Sequence, residues 1–108
     1  MKAITSQRLV AFLMGLFIFL AISGCGLTSA KPKMEMAMAI SAFQAANDTK
    51  AYIASPNLYR KAEFYFLKAK SAYRKKFFNK AKYYAMLAKK FSEEAESQAI
   101  RKATLESL

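Results

Sequence analysis

The sequence predicts an all-α protein: a signal peptide followed by a three-helix arrangement with a long antiparallel helical hairpin. Three observations lead there. Glycine disappears after Gly26 while alanine becomes frequent from Met34 onward, a composition that favours helix. Small residues recur at spacings of four and three through two long segments, the period of one helix face. The two prolines, Pro32 and Pro56, fall between the helical segments, where a chain bends most readily.

At the N-terminus, Lys2 and Arg8 precede 14 apolar or small residues, 9–22, which lead into Ser23, Gly24 and Cys25. This is the build of a secretory signal: a positive start, an apolar run and small residues at the cut. A spanning helix needs about 20 apolar residues, so this run is short for one. A signal anchor extended through Thr28 and Ser29 to Ala30 is the competing reading. In both cases Lys2 and Arg8 stay inside and residues 31–108 lie outside the cytoplasm. Cys25 is the single cysteine and has no partner for an intrachain disulfide. The stretch Ile22-Ser23-Gly24-Cys25 resembles the lipobox of bacterial lipoproteins. That resemblance implies cleavage before Cys25, a diacylglycerol on its sulfur and acylation of the new amine. It also implies an outer-membrane preference, since Gly26 stands where an aspartate would favour inner-membrane retention. The expected organisation is a signal peptide at 1–24, an acylated cysteine with a flexible tether at 25–33, and a helical domain at 34–108.

The first helix of that domain is expected over 34–54. Met36, Ala39, Phe43, Ala46 and Ile53 form its stripe, Lys50 interrupts it, and Asn47-Asp48-Thr49 predicts a bend. Ser55-Pro56 marks a boundary, with Ser55 as cap and Pro56 in the first position of the next helix. The second helix is expected over 56–75. Leu58, Ala62, Tyr65, Ala69 and Ala72 form one row, and Tyr59, Phe66 and Tyr73 a second row beside it. Arg74, Lys75 and Lys76 close it, where cations suit the negative end of the helix dipole. A turn without glycine follows at 76–79. The third helix is expected over 78–104, with Ala81, Ala85, Ala88, Ser92, Ala95 and Ala99 keeping the four-three rhythm. Folded back on each other, the last two helices bring their small rows together, which permits close axial approach. Tyr65, Phe66, Phe78 and Tyr84 close the sides.

Removal of residues 1–24 leaves 84 residues, one small domain at most, with 16 basic and 7 acidic side chains. Charge is concentrated: 11 Lys or Arg and one acid lie in 60–90, against two bases and four acids in 91–108. The mature chain has no histidine, no tryptophan, no cysteine beyond Cys25 and no glycine-rich loop. That leaves no imidazole or thiol set for a metal, no phosphate cradle and no nucleophile pair. No cofactor, metal site or catalytic residue is expected. Glu63, Glu93, Glu94 and Glu96 read as solvating charges, and an enzyme is the least supported class. A basic stretch implies acidic partners. The signal argues against nucleic acid and in favour of envelope anions.

Two resemblances bear on the helical part. Residues 62–95, with Ala69, Phe78, Ala81, Ala85 and Ala88 in register, resemble one tetratricopeptide-type helical pair without its usual Gly and Trp or a second repeat. More of the chain, roughly 35–103, resembles a family of alanine-rich bacterial envelope lipoproteins catalogued as domain of unknown function 4398. Ala39-Ile40, the junction Ala51-Tyr52-Ile53-Ala54-Ser55-Pro56-Asn57-Leu58-Tyr59 and the later alanine series carry this likeness. It implies an all-α envelope lipoprotein and transfers no catalytic residue. The chain departs from the family in its richness in lysine and aromatics.

The candidate contact surface is the stretch 73–84. It offers Arg74, Lys75, Lys76, Lys80 and Lys82 interleaved with Phe77 and Tyr83, and contains no acid. Positive charge in the first turn of the third helix opposes its dipole, so stability alone does not account for it. Ten aromatics between Tyr52 and Tyr84 exceed what one seam can bury. The reading favoured is a lipid-anchored interaction module, tied to a membrane through Cys25 and meeting an envelope protein or an anionic lipid or polymer. A structural homo-oligomeric helical bundle and a small membrane-active lipoprotein are the alternatives.

Overall fold

A computed structural model of the chain describes residues 2–22 and 30–108. It is all-α, with α1 at Lys2–Ile22, α2 at Lys33–Asp48, α3 at Ala51–Ala54, α4 at Pro56–Arg74 and α5 at Phe78–Glu106. Among the described residues there is no strand. The expected signal run is helical in α1 and its described side chains are exposed. Among the described residues α1 packs against none of the other helices. Among the described residues no helix is long and apolar enough to cross a membrane. Cys25 and the lipobox around it lie outside the described residues, as does most of the expected tether.

α5 is the axis of the folded part. Its 29 residues span about 43 Å, and both α2 and α4 pack along it, touching each other far less. The predicted row on α5 is buried in full: Ala81, Ala85, Ala88, Ser92, Ala95 and Ala99. One cluster joins Ala39 of α2 and Ala69 of α4 to Ala85 and Ala88. A second joins Ala46 and Ala51 to Ala95 and Ala99, with Leu58 and Tyr59 packed against it. The α5 row therefore serves two neighbours, where the sequence paired it with one. α4 runs antiparallel to α5, and α2 runs parallel to it.

Within the described helices every buried apolar side chain is an alanine, so little apolar area is removed from water at the seam itself. The larger contribution comes from half-buried rings along its edges. Phe43 of α2 stacks between Tyr59 and Phe66 of α4, with centroids 5.2 and 5.0 Å away. On the opposite side Tyr65 stacks on Tyr84 and Phe91 of α5 at 6.1 and 5.6 Å. Such pairs add about 0.5–1.5 kcal/mol each beyond the area they bury. Alanine brings the helices together, and the aromatics clamp them from both flanks.

Three local expectations are corrected. The single first helix is two, α2 and α3, because Lys50 adopts the left-handed conformation with φ 55°. Thr49 assists the break: its N–H donates to the Ala45 carbonyl at 3.1 Å, and its hydroxyl donates back toward the Ala45 and Ala46 carbonyls at 3.2 and 3.1 Å. The break also resets the phase of the stripe. Ala51 is buried in place of Ile53, which is 69% exposed. Finally, Ser55 holds the N-cap position of α4 before Pro56 as expected, but its side chain makes no capping hydrogen bond there. Its buried hydroxyl donates instead toward carbonyls, that of Ala95 at 3.0 Å and that of Ala51 at 3.3 Å, and so ties the α3–α4 corner to α5.

Candidate functional site

The turn between α4 and α5 closes without glycine. Lys76 takes the left-handed conformation, φ 63°. The Lys76 N–H donates to the Tyr73 carbonyl at 3.1 Å, and the Phe77 N–H donates to the Ala72 carbonyl at 2.9 Å. This is a complete Schellman ending with lysine in the position that glycine usually holds. Phe77 then starts α5 without a side-chain cap, and the first turn of α5 carries no acid. Three consecutive cations, Arg74, Lys75 and Lys76, thus project around a chain reversal next to an exposed Phe77.

All seven residues singled out from the sequence, Arg74, Lys75, Lys76, Phe77, Lys80, Lys82 and Tyr83, are exposed. They do not form one patch. Arg74 to Lys80 make up the tip of the hairpin, where the Lys80 ammonium sits 5.6 Å from the Phe77 ring centre. Lys82 and Tyr83 stand further along α5 and diverge. Lys82 turns toward α2 and meets Glu35 at 3.4 Å, an acid that the local sequence around 73–84 does not contain. Tyr83 packs edge-on against Tyr84 at 5.5 Å. Among the described residues, Arg74, Lys75, Lys76 and Lys80 have no carboxylate partner.

Sequence reading confined the surface to 73–84 and so missed part of it. Lys68 lies 4.7 Å from the Phe64 ring centre and 5.3 Å from that of Tyr84, and Lys70 lies 5.6 Å from Phe66. The signal was present: Phe64 and Lys68, and Phe66 and Lys70, are four apart and share a helix face. Lys31 and Lys33 belong to the same end for a reason local spacing does not carry. The Lys82–Glu35 pair and the contact of Met36 with the Ala39, Ala69, Ala85 and Ala88 cluster set the start of α2 beside the start of α5. Pro32 is buried where the chain enters, while Lys31 and Lys33 on either side of it are exposed.

The opposite half of α5 differs in charge. Exposed Glu93 and Glu94 line a groove of about 440 Å³ with Leu58, Lys90, Gln98 and Arg101. Glu93 lies 3.7 Å from Lys89, one helical turn back. The bundle is therefore polarised along its length, cationic where α2 and α5 begin and mixed toward acidic where α5 ends. No protein-family model, curated protein or solved structure matches the chain.

Proposed function

We propose that the protein is a lipid-anchored helical interaction module of the cell envelope, with outer-membrane placement favoured. Cys25 carries the lipid and residues 33–108 form the body. The body recruits a protein partner or anionic envelope material through its cationic, aromatic end. The observation that carries the interaction is the unneutralised cluster of Arg74, Lys75, Lys76 and Lys80 beside exposed Phe77. A surface serving solubility alone gains nothing from a lysine in the left-handed conformation or from cations at the positive end of α5. Exposed rings next to cations suit a partner that is both anionic and partly apolar.

Anchoring is tested by growing cells with a clickable fatty acid. The wild type is expected to take up label and fractionate with membranes, and Cys25→Ser to lose both. An unlabelled wild-type protein in the soluble fraction defeats the anchor. Recognition is tested by replacing Lys75, Lys76, Lys80 and Lys82 with Glu, which is expected to abolish retention on anionic envelope material. Unchanged retention defeats the electrostatic reading.

A second reading, a homo-oligomeric bundle, draws on Phe64 and Leu67, 52% and 56% exposed on the outer face of α4. Sedimentation of the detergent-solubilised chain separates it: a monomer at micromolar concentration removes this reading.

A further inference from the structure

We infer that the basic end of the bundle rests on anionic lipid headgroups of the same bilayer that holds the N-terminus. The inference rests on the anchored reading above and adds the orientation and the chemistry of the contact. Its ground is the direction of α2. Because α2 is parallel to α5, the chain enters the bundle at the α4–α5 turn. Buried Pro32 pins that entry point. Had α2 been antiparallel to α5, the anchor would have emerged beside the glutamates instead.

The chain length then restricts the geometry. Residues 25–32 separate the lipidation position from α2, and they span at most about 30 Å even when fully extended. α5 alone runs about 43 Å away from that end. The anchor thus keeps Lys31, Lys33, Arg74, Lys75, Lys76 and Lys80 within tether reach of the surface, whereas the end of α5 can stand well clear of it. Charge decides between standing and lying. Cations are drawn to an anionic surface within a Debye length of about 10 Å. At the basic end they face one acid, Glu35, which Lys82 neutralises, whereas the far end mixes exposed Glu93, Glu94 and Glu106 with exposed Arg101 and Lys102 and is drawn far less. Phe77, 55% exposed beside Lys80, supplies a ring at the depth where aromatic side chains prefer to sit. The lysines unpaired within the protein acquire phosphate partners, and the groove near Glu93 and Glu94 is presented outward.

The chain has no tryptophan, so a single reporter can be introduced by Phe77→Trp at the tip or by Leu105→Trp near the end of α5. The full lipid-modified chain is reconstituted in vesicles of phosphatidylcholine, with or without phosphatidylglycerol, containing a dansyl-labelled headgroup as energy acceptor. Strong transfer is expected from the tip reporter on the phosphatidylglycerol vesicles, with little from the distal reporter. High salt and pure phosphatidylcholine should both weaken it. Each cation close to an anionic leaflet contributes about a five-fold factor to docking. Changing Arg74, Lys75, Lys76 and Lys80 to Gln should therefore lower the docked-to-free ratio by a factor on the order of several hundred. Raising the salt probes the same contact without any substitution. Equal transfer from the two reporters, or tip transfer indifferent to lipid charge and salt, overturns the inference and directs the basic end to a partner off the membrane. Flotation of the vesicles separates the two levels. Protein that floats without tip transfer keeps its anchor and loses this orientation, whereas protein that does not float loses both.

Discussion

Ala85 and Lys80 stand little more than one helical turn apart on α5, yet their surroundings have opposite logic. Ala85 is sealed between α2 and α4 in a seam whose buried members are alanines, flanked by half-buried rings. Lys80 faces solvent at the positive end of its helix, beside an exposed ring and a turn held by another lysine in a disfavoured conformation. At the seam, local propensity, periodicity and packing agree. At the tip, dipole, backbone preference and side-chain burial all disagree with stability. Sequences that fold well are locally consistent, and places that break several rules together mark where selection acted on something other than folding.

The largest expected effect comes from overfilling the seam. Ala88→Leu inserts three carbons where no side chain larger than serine is fully buried. It forces α5 away from α2 and α4 together, at a cost of about 3 kcal/mol. That is a large share of the roughly 5–10 kcal/mol available to a body of this size. Thermal unfolding followed by circular dichroism measures it. The matching change at the tip, Lys80→Leu, is expected to stay within about 0.5 kcal/mol of wild type. Equal losses at both positions would erase the distinction between the regions.

Next in size is a gain within the seam. The Ser92 hydroxyl is buried and has no hydrogen-bond partner. An orphaned polar group of this kind costs about 1–3 kcal/mol relative to an apolar replacement of similar shape. Ser92→Ala keeps the small-residue row intact and is expected to stabilise by about 1 kcal/mol in urea unfolding, with an unchanged denaturant slope. A loss would mean that the hydroxyl has a use in the folded protein, and that the seam is not governed by packing alone.

The α4–α5 pair was legible because its physics is local. Ala62, Ala69 and Ala72 on one helix, and the six small residues from Ala81 to Ala99 on the other, are spaced so that only a helix gathers them on one face. Placement of α2 was not legible. Its row of Ala39, Ala42 and Ala46 says that one face is buried but not against which helix or in which direction. That direction depends on contacts such as Lys82–Glu35, 47 positions apart in the chain. The same limit explains the site: the cations of 73–80 are visible in the sequence, whereas their company with Lys31 and Lys33 follows from the parallel course of α2. Lys50 and Lys76 were hidden for another reason, because glycine or asparagine usually marks a left-handed position and neither stands there.

Lys76→Gly probes that last feature. Glycine adopts φ near 60° without the Cβ clash that lysine suffers, a relief of about 1 kcal/mol. A more flexible unfolded chain offsets part of it. A net gain of roughly 0.5 kcal/mol in unfolding is expected, together with weaker binding to anionic vesicles because one tip cation is gone. A variant that gains stability and keeps full binding would leave Lys76 without the role assigned to the tip.

The smallest effect tests how closed the far corner is by comparison. Tyr59 stacks on Phe43, and its hydroxyl donates to the Asn47 Oδ1 at 3.4 Å. Burial, followed by the charge of Glu63 and then Tyr52, raises its phenol above the ordinary value of 10.0. Folding therefore favours the protonated ring, and the unfolded chain releases this proton at lower pH than the folded one. The resulting stability is complete below about pH 10 and is lost as pH climbs through the folded value. Tyr59→Phe retains the ring and removes the titration. Near neutral pH the two proteins are expected to agree within about 0.5 kcal/mol, since the lost hydrogen bond is long and exposed. Above pH 10 the stability of the wild type should fall more steeply than that of the variant when unfolding is followed across an alkaline series. Parallel decline would show that Tyr59 ionises as freely as a solvent-exposed phenol, and that this corner is as open to water as the tip.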